Sequence, residues 1–413
     1  MLKKSRIFIY KKNKEILKTI IYCLLNISNN KFLLALRKKI TNNLFLTAQG
    51  RVALYYISKF LITKGYKKFY ISPYTNIDVI NALNHAGCEI IILDLDIKTG
   101  YPSNIDQVLS SKEKCCMIIT HLYSNNKNIN DLYQKLKNRK DNIKIIEDAA
   151  IVFGSKLEEK FLGNLFDYGF FSFGLVKNLN TFFGGAILYN DEEFKSYYEE
   201  IENNRLIKFS ISFMLKKIIF SIIMKFAFNQ YSYNFFTIHI IKLAYLNKNN
   251  FLYKFFYPQK FSQLEKNKPY NYNYKYPYYL SDIGIGHLSS QEEERDQRFE
   301  KVLYYYNNLK HIKFLQFQTL SEIDRNSNAY LEYPIVINGK NKYDLLKFLR
   351  KYGIFIREYW YTNLSGLINS EDKIENLDYL EKNLITLPCH PKVNKEYQDY
   401  LIKYLKEFFE KQN

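Results

Sequence analysis

Residues 145–191 read IIEDAAIVFGSKLEEKFLGNLFDYGFFSFGLVKNLNTFFGGAILYND and set the architecture of this 413-residue chain. The pattern predicts strand, loop, strand, turn and strand, which brings the carboxylate of Asp148 and the amine of Lys177 to the same end of a sheet. A pyridoxal phosphate enzyme needs such a pair, because an acid keeps the pyridine nitrogen protonated and a lysine carries the cofactor as a Schiff base.

Strands and helices alternate on the N-terminal side of this segment. This pattern predicts an α/β fold around a largely parallel sheet. Ligands of such sheets bind beyond the carboxyl ends of the strands, where Pro73, His121 and Asp148 fall. The predicted strands are KKFYISPY (67–74), CEIIILDLD (88–96), CCMIITHLY (115–123) and NIKIIEDAA (142–150). The predicted helices are TAQGRVALYYISKFLITKG (47–65), NIDVINALNHAG (76–87) and NINDLYQKLKNRK (128–140).

The C-terminal part predicts a small α+β domain. Its predicted elements are a long exposed helix (280–309), a strand (330–337), a helix (342–353), a second strand IFIREYW (354–360) and a terminal amphipathic helix (393–411). We therefore divide the chain into an N-terminal helical segment (1–45), a cofactor-binding large domain (46–204), a basic apolar insertion (205–265) and a small C-terminal domain with its linking helix (266–413).

The chain is strongly basic, with 60 Lys and Arg against 41 Asp and Glu, a net charge of +19. Such an excess indicates an anionic partner, but Lys, Asn, Ile, Tyr and Phe are abundant throughout, as in a protein encoded by AT-rich DNA. No nucleic-acid-binding motif accompanies the charge, so we expect no nucleic-acid partner. The five cysteines form no CxxC pair and no metal-ligand spacing, which predicts reduced thiols in a cytoplasmic protein and no metal site.

The insertion contains no acidic residue between Glu202 and Glu265. Its longest charge-free run, residues 226–241, is too short to span a membrane as a helix. Two interpretations remain open. Either the segment makes a peripheral contact with the inner membrane face, its lysines reaching anionic headgroups, or its helices pack against the rest of the protein.

Each candidate site residue also has an ordinary structural explanation. Asp148 could cap the turn after its strand, and Lys177 could be a solvated surface lysine rather than a desolvated amine able to form an imine. Ser172 could bind the cofactor phosphate or be an ordinary strand residue. Gly50 and Arg51 open a helix, where backbone N–H groups bind anions, or Gly50 simply makes a turn.

The order of these motifs resembles the DegT/DnrJ/StrS family of sugar aminotransferases, which are fold-type-I pyridoxal phosphate enzymes. The resemblance covers about residues 44–200 and 275–405. The matching pieces are QGRVAL, HLYSNNKNINDL, EDAA, FSFGLVKNLN followed by GGAILYND, LSDIGIGHL, YPIVI, GIFIRE and LPCHP. It implies that Lys177 carries the cofactor, that Asp148 pairs with the pyridine nitrogen, and that Ser172, Gly50 and Arg51 bind the phosphate.

The resemblance also implies a homodimer that moves an amino group from glutamate onto a nucleotide-linked keto sugar, which we expect to serve surface polysaccharide biosynthesis. Several positions depart from the family pattern. Ile151 stands where Gln is usual, Phe153 where His is frequent, and Tyr279 and Leu280 where an arginine is expected before Ser281. Asn76 replaces the aromatic residue that stacks on the cofactor ring, so we expect Tyr74 to substitute for it.

Three alternatives follow. A dehydratase of the same family is disfavoured by Lys177, because those relatives replace this lysine. The departures at Ile151, Asn76 and Tyr279 are compatible with a family member of altered specificity, or with a non-catalytic scaffold at the membrane. A nucleic-acid-binding protein rests on the net charge alone.

Overall fold

The computed structural model describes residues 3–9, 12–123, 126–246, 251–256, 263–317, 320, 325, 327–357, 361–368 and 374–410. Its strands are β1 (Leu44–Thr47), β2 (Lys68–Ile71), β3 (Tyr74–Thr75), β4 (Glu89–Ile92), β5 (Cys115–Thr120), β6 (Ile143–Asp148), β7 (Lys156–Leu157), β8 (Lys160–Phe161), β9 (Tyr168–Ser172), β10 (Gly185–Tyr189), β11 (Leu315–Gln316), β12 (Tyr333–Ile337), β13 (Thr362–Asn363) and β14 (Leu384–Leu387).

The α-helices connect these strands and pack around the two sheets. They are α1 (Asn13–Leu24), α2 (Lys31–Lys39), α3 (Gly50–Thr63), α4 (Ile77–Ala86), α5 (Asp106–Leu109), α6 (Asn126–Leu136), α7 (Glu192–Asn204), α8 (Ile211–Ala227), α9 (Gln230–Ser232), α10 (Ile238–Leu246), α11 (Phe251–Phe256), α12 (Ser281–Leu288), α13 (Gln291–Leu309), α14 (Lys342–Lys351), α15 (Glu375–Asn383) and α16 (Lys395–Glu410).

The main sheet has seven strands in the order β1-β10-β9-β6-β5-β2-β4. Strands β9, β6, β5, β2 and β4 pair in parallel, and β10 pairs antiparallel with both β9 and β1. Strands β5 and β6 are buried along their whole length except at Lys144, as expected when helices cover both faces of a parallel sheet. The predicted α/β class with a mostly parallel sheet is confirmed.

Strand β1 was not predicted, because residues 44 and 45 fall at the end of the expected helical segment. Leu44 to Thr47 pair with Leu188 to Gly185 and close the sheet at its edge. Four residues are too few to show an alternating pattern, and all four are buried, so periodicity carries no signal there.

The small domain has its own three-stranded sheet, β11-β12-β14, packed against α13, α14 and α16. Two predictions were wrong here. The long exposed helix 280–309 is two helices that break at Ser289 and Ser290, and the second helix buries Gln291, Glu294 and Arg298. Within the segment IFIREYW, residues 354–357 form only an isolated bridge from Arg357 to Thr386, and residues 358–360 lie outside the described part.

The insertion folds as α8 to α11, with a π-helical turn at Tyr233–Thr237. One side of α8 packs inward through Met214, Ile218 and Ser221, while the N-terminal helix α1 lies against it. Among the described residues, no helix is both long enough and apolar enough to cross a bilayer.

Candidate active site

The carboxyl ends of β6 and β9 place Asp148 and Ser172 on the same face of the sheet. Asp148 pairs in register with Phe170 on β9, and Ser172 follows two residues later. Side chains two residues apart on a strand point to the same side. Asp148, Phe170 and Ser172 accordingly line one cavity, which has a volume of 140 Å³.

The N-terminus of α3 forms the wall of the cavity beside Ser172. Val52 and Ala53 are the first residues whose N–H groups bond back to Gln49 O, so the N–H groups of Gly50 and Arg51 precede the helical ladder. The Arg51 guanidinium is held by Asp78, its Nη1 donating to Asp78 Oδ1 (2.7 Å). A Cβ on Gly50 would lie 3.0 Å from Ser172 Cβ. Glycine therefore lets an anion-binding helix terminus approach the sheet closely, and these residues fit a phosphate group.

Lys177 lies in a turn after β9 whose backbone is held at both ends. Lys177 N donates to Gly174 O (3.0 Å), and Phe173 N donates to Gly184 O (2.9 Å) at the base of the loop. The adjacent Asn178 side chain donates to Ile151 O and to Ala329 O, both at 3.1 Å. These bonds direct the Lys177 amine into the same cavity as Asp148.

The cavity changes the acidity of both groups. Burial is the largest cause of a lowered pKa of Lys177, which falls to about 8; Asp148 opposes the shift and Arg357 adds to it. Burial raises the pKa of Asp148, while the N–H of Ala150 and the charges of Lys177 and His121 lower it. The Lys177 amine can thus exchange a proton near neutral pH.

A buried hydrogen-bond network lies beside Asp148. The His121 ring forms hydrogen bonds through Nδ1 to the Tyr101 hydroxyl and through Nε2 to the Glu147 carboxylate, both at 3.0 Å. Glu147 also accepts bonds from the N–H groups of Gly163, Leu165 and Phe166. His121, predicted at this end of the sheet, therefore lies next to the site but not among the residues that line the cavity.

The structure brings together five of the six predicted site residues, namely Gly50, Arg51, Asp148, Ser172 and Lys177. Tyr74 is the exception. Its ring is buried and packs edge-on against Tyr361 (6.0 Å between centroids), outside the residues that line the cavity. Asn76, in contrast, lines the cavity, and its side chain caps α4 by accepting from Asp78 N (2.9 Å). The cofactor-binding role of Tyr74 stays a prediction.

Other lining residues were not predicted. They are Gln49, Asp78, Val79, Ala150, Phe170, Gly174, Phe183, Gly184 and Tyr361. Gln49 and Asp78 could have been found from their positions beside Arg51 and at the start of α4. Tyr361 could not, because it reaches the cavity through the pairing of β13 with β3, in which Thr362 faces Thr75.

The departures from the family pattern lie in the core around the site. Ile151 and Phe153 are buried, and the Phe153 ring packs against Phe171 (5.0 Å between centroids). Tyr279 is buried beside α1 and does not line the cavity. Ile151 and Phe153 thus contribute to the buried core, while Lys177, Asp148, Gly50 and Arg51 line the cavity.

Comparison with known proteins gives the same fold. Helicobacter pylori PseC, an aminotransferase involved in the biosynthesis of pseudoaminic acid, superposes with a TM-score of 0.70 over 99% of this chain and 100% of its own, at 16% identity. Escherichia coli GDP-4-keto-6-deoxy-D-mannose-3-dehydratase with bound hydrated PLP superposes with a TM-score of 0.71 over 98% and 100%, at 16% identity. The fold-type-I architecture of the large domain is thereby confirmed.

Two curated relatives are similar in sequence. GDP-perosamine synthase of Escherichia coli O157:H7 is 31% identical over 147 residues, which is 35% of this chain and 40% of that protein. A UDP-4-amino-4,6-dideoxy-N-acetyl-beta-L-altrosamine transaminase of Campylobacter jejuni is 22% identical over 345 residues, 78% of this chain and 74% of that protein. The family model described as the DegT/DnrJ/EryC1/StrS aminotransferase family matches residues 62–211 and 252–406, most of the chain. The chain belongs to the DegT/DnrJ/EryC1/StrS aminotransferase family.

Proposed function

We propose that this protein is a pyridoxal-phosphate-dependent aminotransferase that moves an amino group from glutamate onto the keto carbon of a nucleotide-linked sugar. The observation that carries the proposal is the shared cavity of Lys177 and Asp148, in which the lysine amine has a pKa of about 8. A cavity lysine whose pKa lies near neutral pH fits a catalytic role better than a structural one.

Each residue has a distinct part in this proposal. The N–H groups of Gly50 and Arg51 and the Ser172 hydroxyl would hold the cofactor phosphate, and Asp148 would hold the pyridine nitrogen in its protonated form. When bound, pyridoxal phosphate supplies an electron-withdrawing ring that stabilises negative charge on the substrate carbon. Lys177 would hold the cofactor until glutamate displaces it, and its Nζ would then take a proton from the substrate carbon and return one as acid.

A dehydratase is the closest alternative within the same fold, as the Escherichia coli neighbour shows. At 16% identity that likeness shows the fold alone. Lys177 favours aminotransfer, because its amine lies in the cavity ready to accept and return a proton. The names of the two curated relatives support a nucleotide sugar as the amino acceptor.

We further propose that the enzyme works as a cytoplasmic homodimer and that its product serves surface polysaccharide biosynthesis. The family resemblance supports the dimer, and the sugar-modifying relatives support the pathway. Sedimentation of the purified protein would measure the dimer directly.

The decisive experiment records the visible spectrum of the purified protein loaded with pyridoxal phosphate, before and after glutamate. We expect a yellow protein whose long-wavelength absorbance falls as glutamate converts the cofactor to its amine form. Aspartate and alanine serve as matched amino donors. A protein that stays colourless when the cofactor is supplied contradicts the proposal, and a yellow protein that no amino acid changes contradicts aminotransfer.

A further inference from the structure

The positive charge of the chain comes from two separate segments. Residues 1–40 contain eleven Lys and Arg and one acid, Glu15, and residues 203–264 contain nine Lys and Arg and no acid. The remaining residues contain forty basic and forty acidic side chains, so these two segments account for the whole net charge of +19. A general compositional preference for lysine would have spread the excess along the chain. The excess positive charge is therefore confined to these two segments instead of being spread along the chain.

The structure brings the two segments together. Helices α1 and α8 run antiparallel, because Lys225 Nζ donates to Asn13 Oδ1 (2.6 Å) at one end and Cys23 Sγ contacts Ile211 O (4.0 Å) at the other. Beyond them, Lys3 N donates to Asn234 Oδ1 and Asn234 Nδ2 donates to Lys3 O, both at 2.8 Å. The two basic segments, far apart in sequence, thus pack against each other.

Both helices expose a row of apolar side chains. On α8, Met214 and Ile218 are buried, whereas the other side is exposed. The exposed side chains of the pair are Leu17, Ile21 and Leu24 on α1 and Ile219, Phe220, Ile223 and Phe226 on α8. Their spacing of three, four and seven residues places each set along one side of its helix. Among the described residues, nineteen of the twenty-two exposed large apolar side chains lie in the two segments, so the exposed apolar side chains occur in the same segments as the excess positive charge.

We propose that this α1–α8 surface docks onto an anionic lipid bilayer, with the helices lying in the plane of the headgroups. Apolar side chains such as Phe226, which is 67% exposed, would enter the acyl boundary. Lys14, Lys216 and Lys217, all exposed beside them, would contact the anionic headgroups.

Charge and chemistry favour lipid over other occupants. A second copy would bring an equally basic surface to the same contact, where like charges repel. Nucleic acid would satisfy the lysines but would leave the exposed Leu, Ile and Phe side chains in water. A bilayer rich in anionic lipid satisfies both the charge and the apolar side chains.

The test is flotation of the full-length protein with two kinds of vesicle. One is phosphatidylcholine alone, and the other contains equal parts of phosphatidylcholine and phosphatidylglycerol. We expect flotation with the anionic vesicles, little with the neutral ones, and loss of binding in high salt. The replacement of Lys216 and Lys217 by Gln should weaken binding to anionic vesicles by roughly tenfold to thirtyfold.

A second variant tests the apolar contribution. The combined substitution Ile219→Ser, Phe220→Ser, Ile223→Ser and Phe226→Ser should abolish flotation even at low salt, whereas Tyr343→Ser with Lys347→Gln on α14, also exposed, should float like the native protein. Circular dichroism and retention of the cofactor absorbance show whether each variant is folded.

Several results would overturn the proposal. Equally poor flotation of the native protein with both vesicles would do so, as would unchanged flotation of both α8 variants. Salt-sensitive binding to duplex DNA without flotation would assign the surface to nucleic acid. Concentration-dependent association that the four serine substitutions abolish, again without flotation, would assign it to a second copy of the chain.

Discussion

Gly185 lies so close to Gly50 that a Cβ on Gly185 would stand 2.5 Å from the Gly50 nitrogen. The same Cβ would lie 2.8 Å from Phe171 O, so backbone surrounds the position and no flexible side chain can move aside. Strand β10 can pack against the start of α3 only because residue 185 has no side chain. The helix terminus proposed to bind phosphate is thus positioned by a residue that does not line the cavity.

We expect Gly185→Ala to displace the N-terminus of α3 and weaken binding of pyridoxal phosphate. An anion at a partly buried helix terminus gains up to about 2 kcal/mol, so affinity should fall by roughly tenfold or more. Spectral titration of the apoprotein measures the dissociation constant. Gly366→Ala is the matched control, because a Cβ there meets nothing within 4 Å. Equal affinity in the two variants would contradict the proposed role of the helix terminus.

Lys177→Ala should abolish both the visible absorbance of the loaded protein and turnover, since Lys177 is the proposed attachment point of the cofactor. Lys160→Ala replaces an exposed lysine of the same segment and should leave both intact. The measurement is the absorbance spectrum alongside a transamination assay. A Lys177→Ala protein that is yellow and active would assign the chemistry to another amine.

Asp148→Ala should lower the rate by roughly 100-fold or more, because a preorganised charge would be lost. Some cofactor should stay bound, since Gly50, Arg51, Ser172 and Lys177 remain. Steady-state kinetics at saturating cofactor measure the effect. A near-normal rate would show that Asp148 is only a structural residue.

The pH dependence of cofactor loading should report the lowered pKa of Lys177. Only the neutral amine attacks an aldehyde, so loading of the apoprotein should speed up with rising pH, with a midpoint near 8. An unperturbed lysine would have its midpoint near 10.5. Because the Asp148 charge raises the pKa of Lys177, Asp148→Asn should move the midpoint to lower pH. Stopped-flow absorbance would detect either shift, and a midpoint near 10.5 would contradict the desolvation of the amine.

Glu147 should be important for stability, because its buried carboxylate accepts three backbone N–H bonds and contacts His121. Glu147→Gln exchanges one accepting oxygen for a donating NH₂ group, which should cost about 2–3 kcal/mol in the free energy of unfolding. Urea denaturation measures this change in the free energy of unfolding, and Glu159→Gln, at an exposed position, is the control. Equal unfolding midpoints for the two variants would show that the network adds no net stability.

The sequence predicts the central fold and most of the site because both depend on local patterns. Asp148 ends a buried strand and Lys177 follows a second strand within the same short segment, so their meeting requires only parallel neighbours. Tyr361 depends instead on the two-residue strands β3 and β13, which are too short to leave a pattern. The sequence does not predict the helix break at Ser289, because the residues before and after it both have helical spacing. The sequence predicts Tyr74 as a substitute for the missing aromatic residue, whereas in the structure Asn76 lines the cavity and Tyr74 packs against Tyr361.

The confinement of positive charge to two segments has a practical consequence for engineering this protein. A shortened protein without both segments would carry equal numbers of basic and acidic groups, placing its isoelectric point near neutrality. Proteins without net charge lose mutual repulsion and tend to precipitate. A truncated protein that precipitates would seem inactive even if its active site were intact. Single substitutions of surface side chains change the net charge little, so their effects on activity and on solubility can be measured separately.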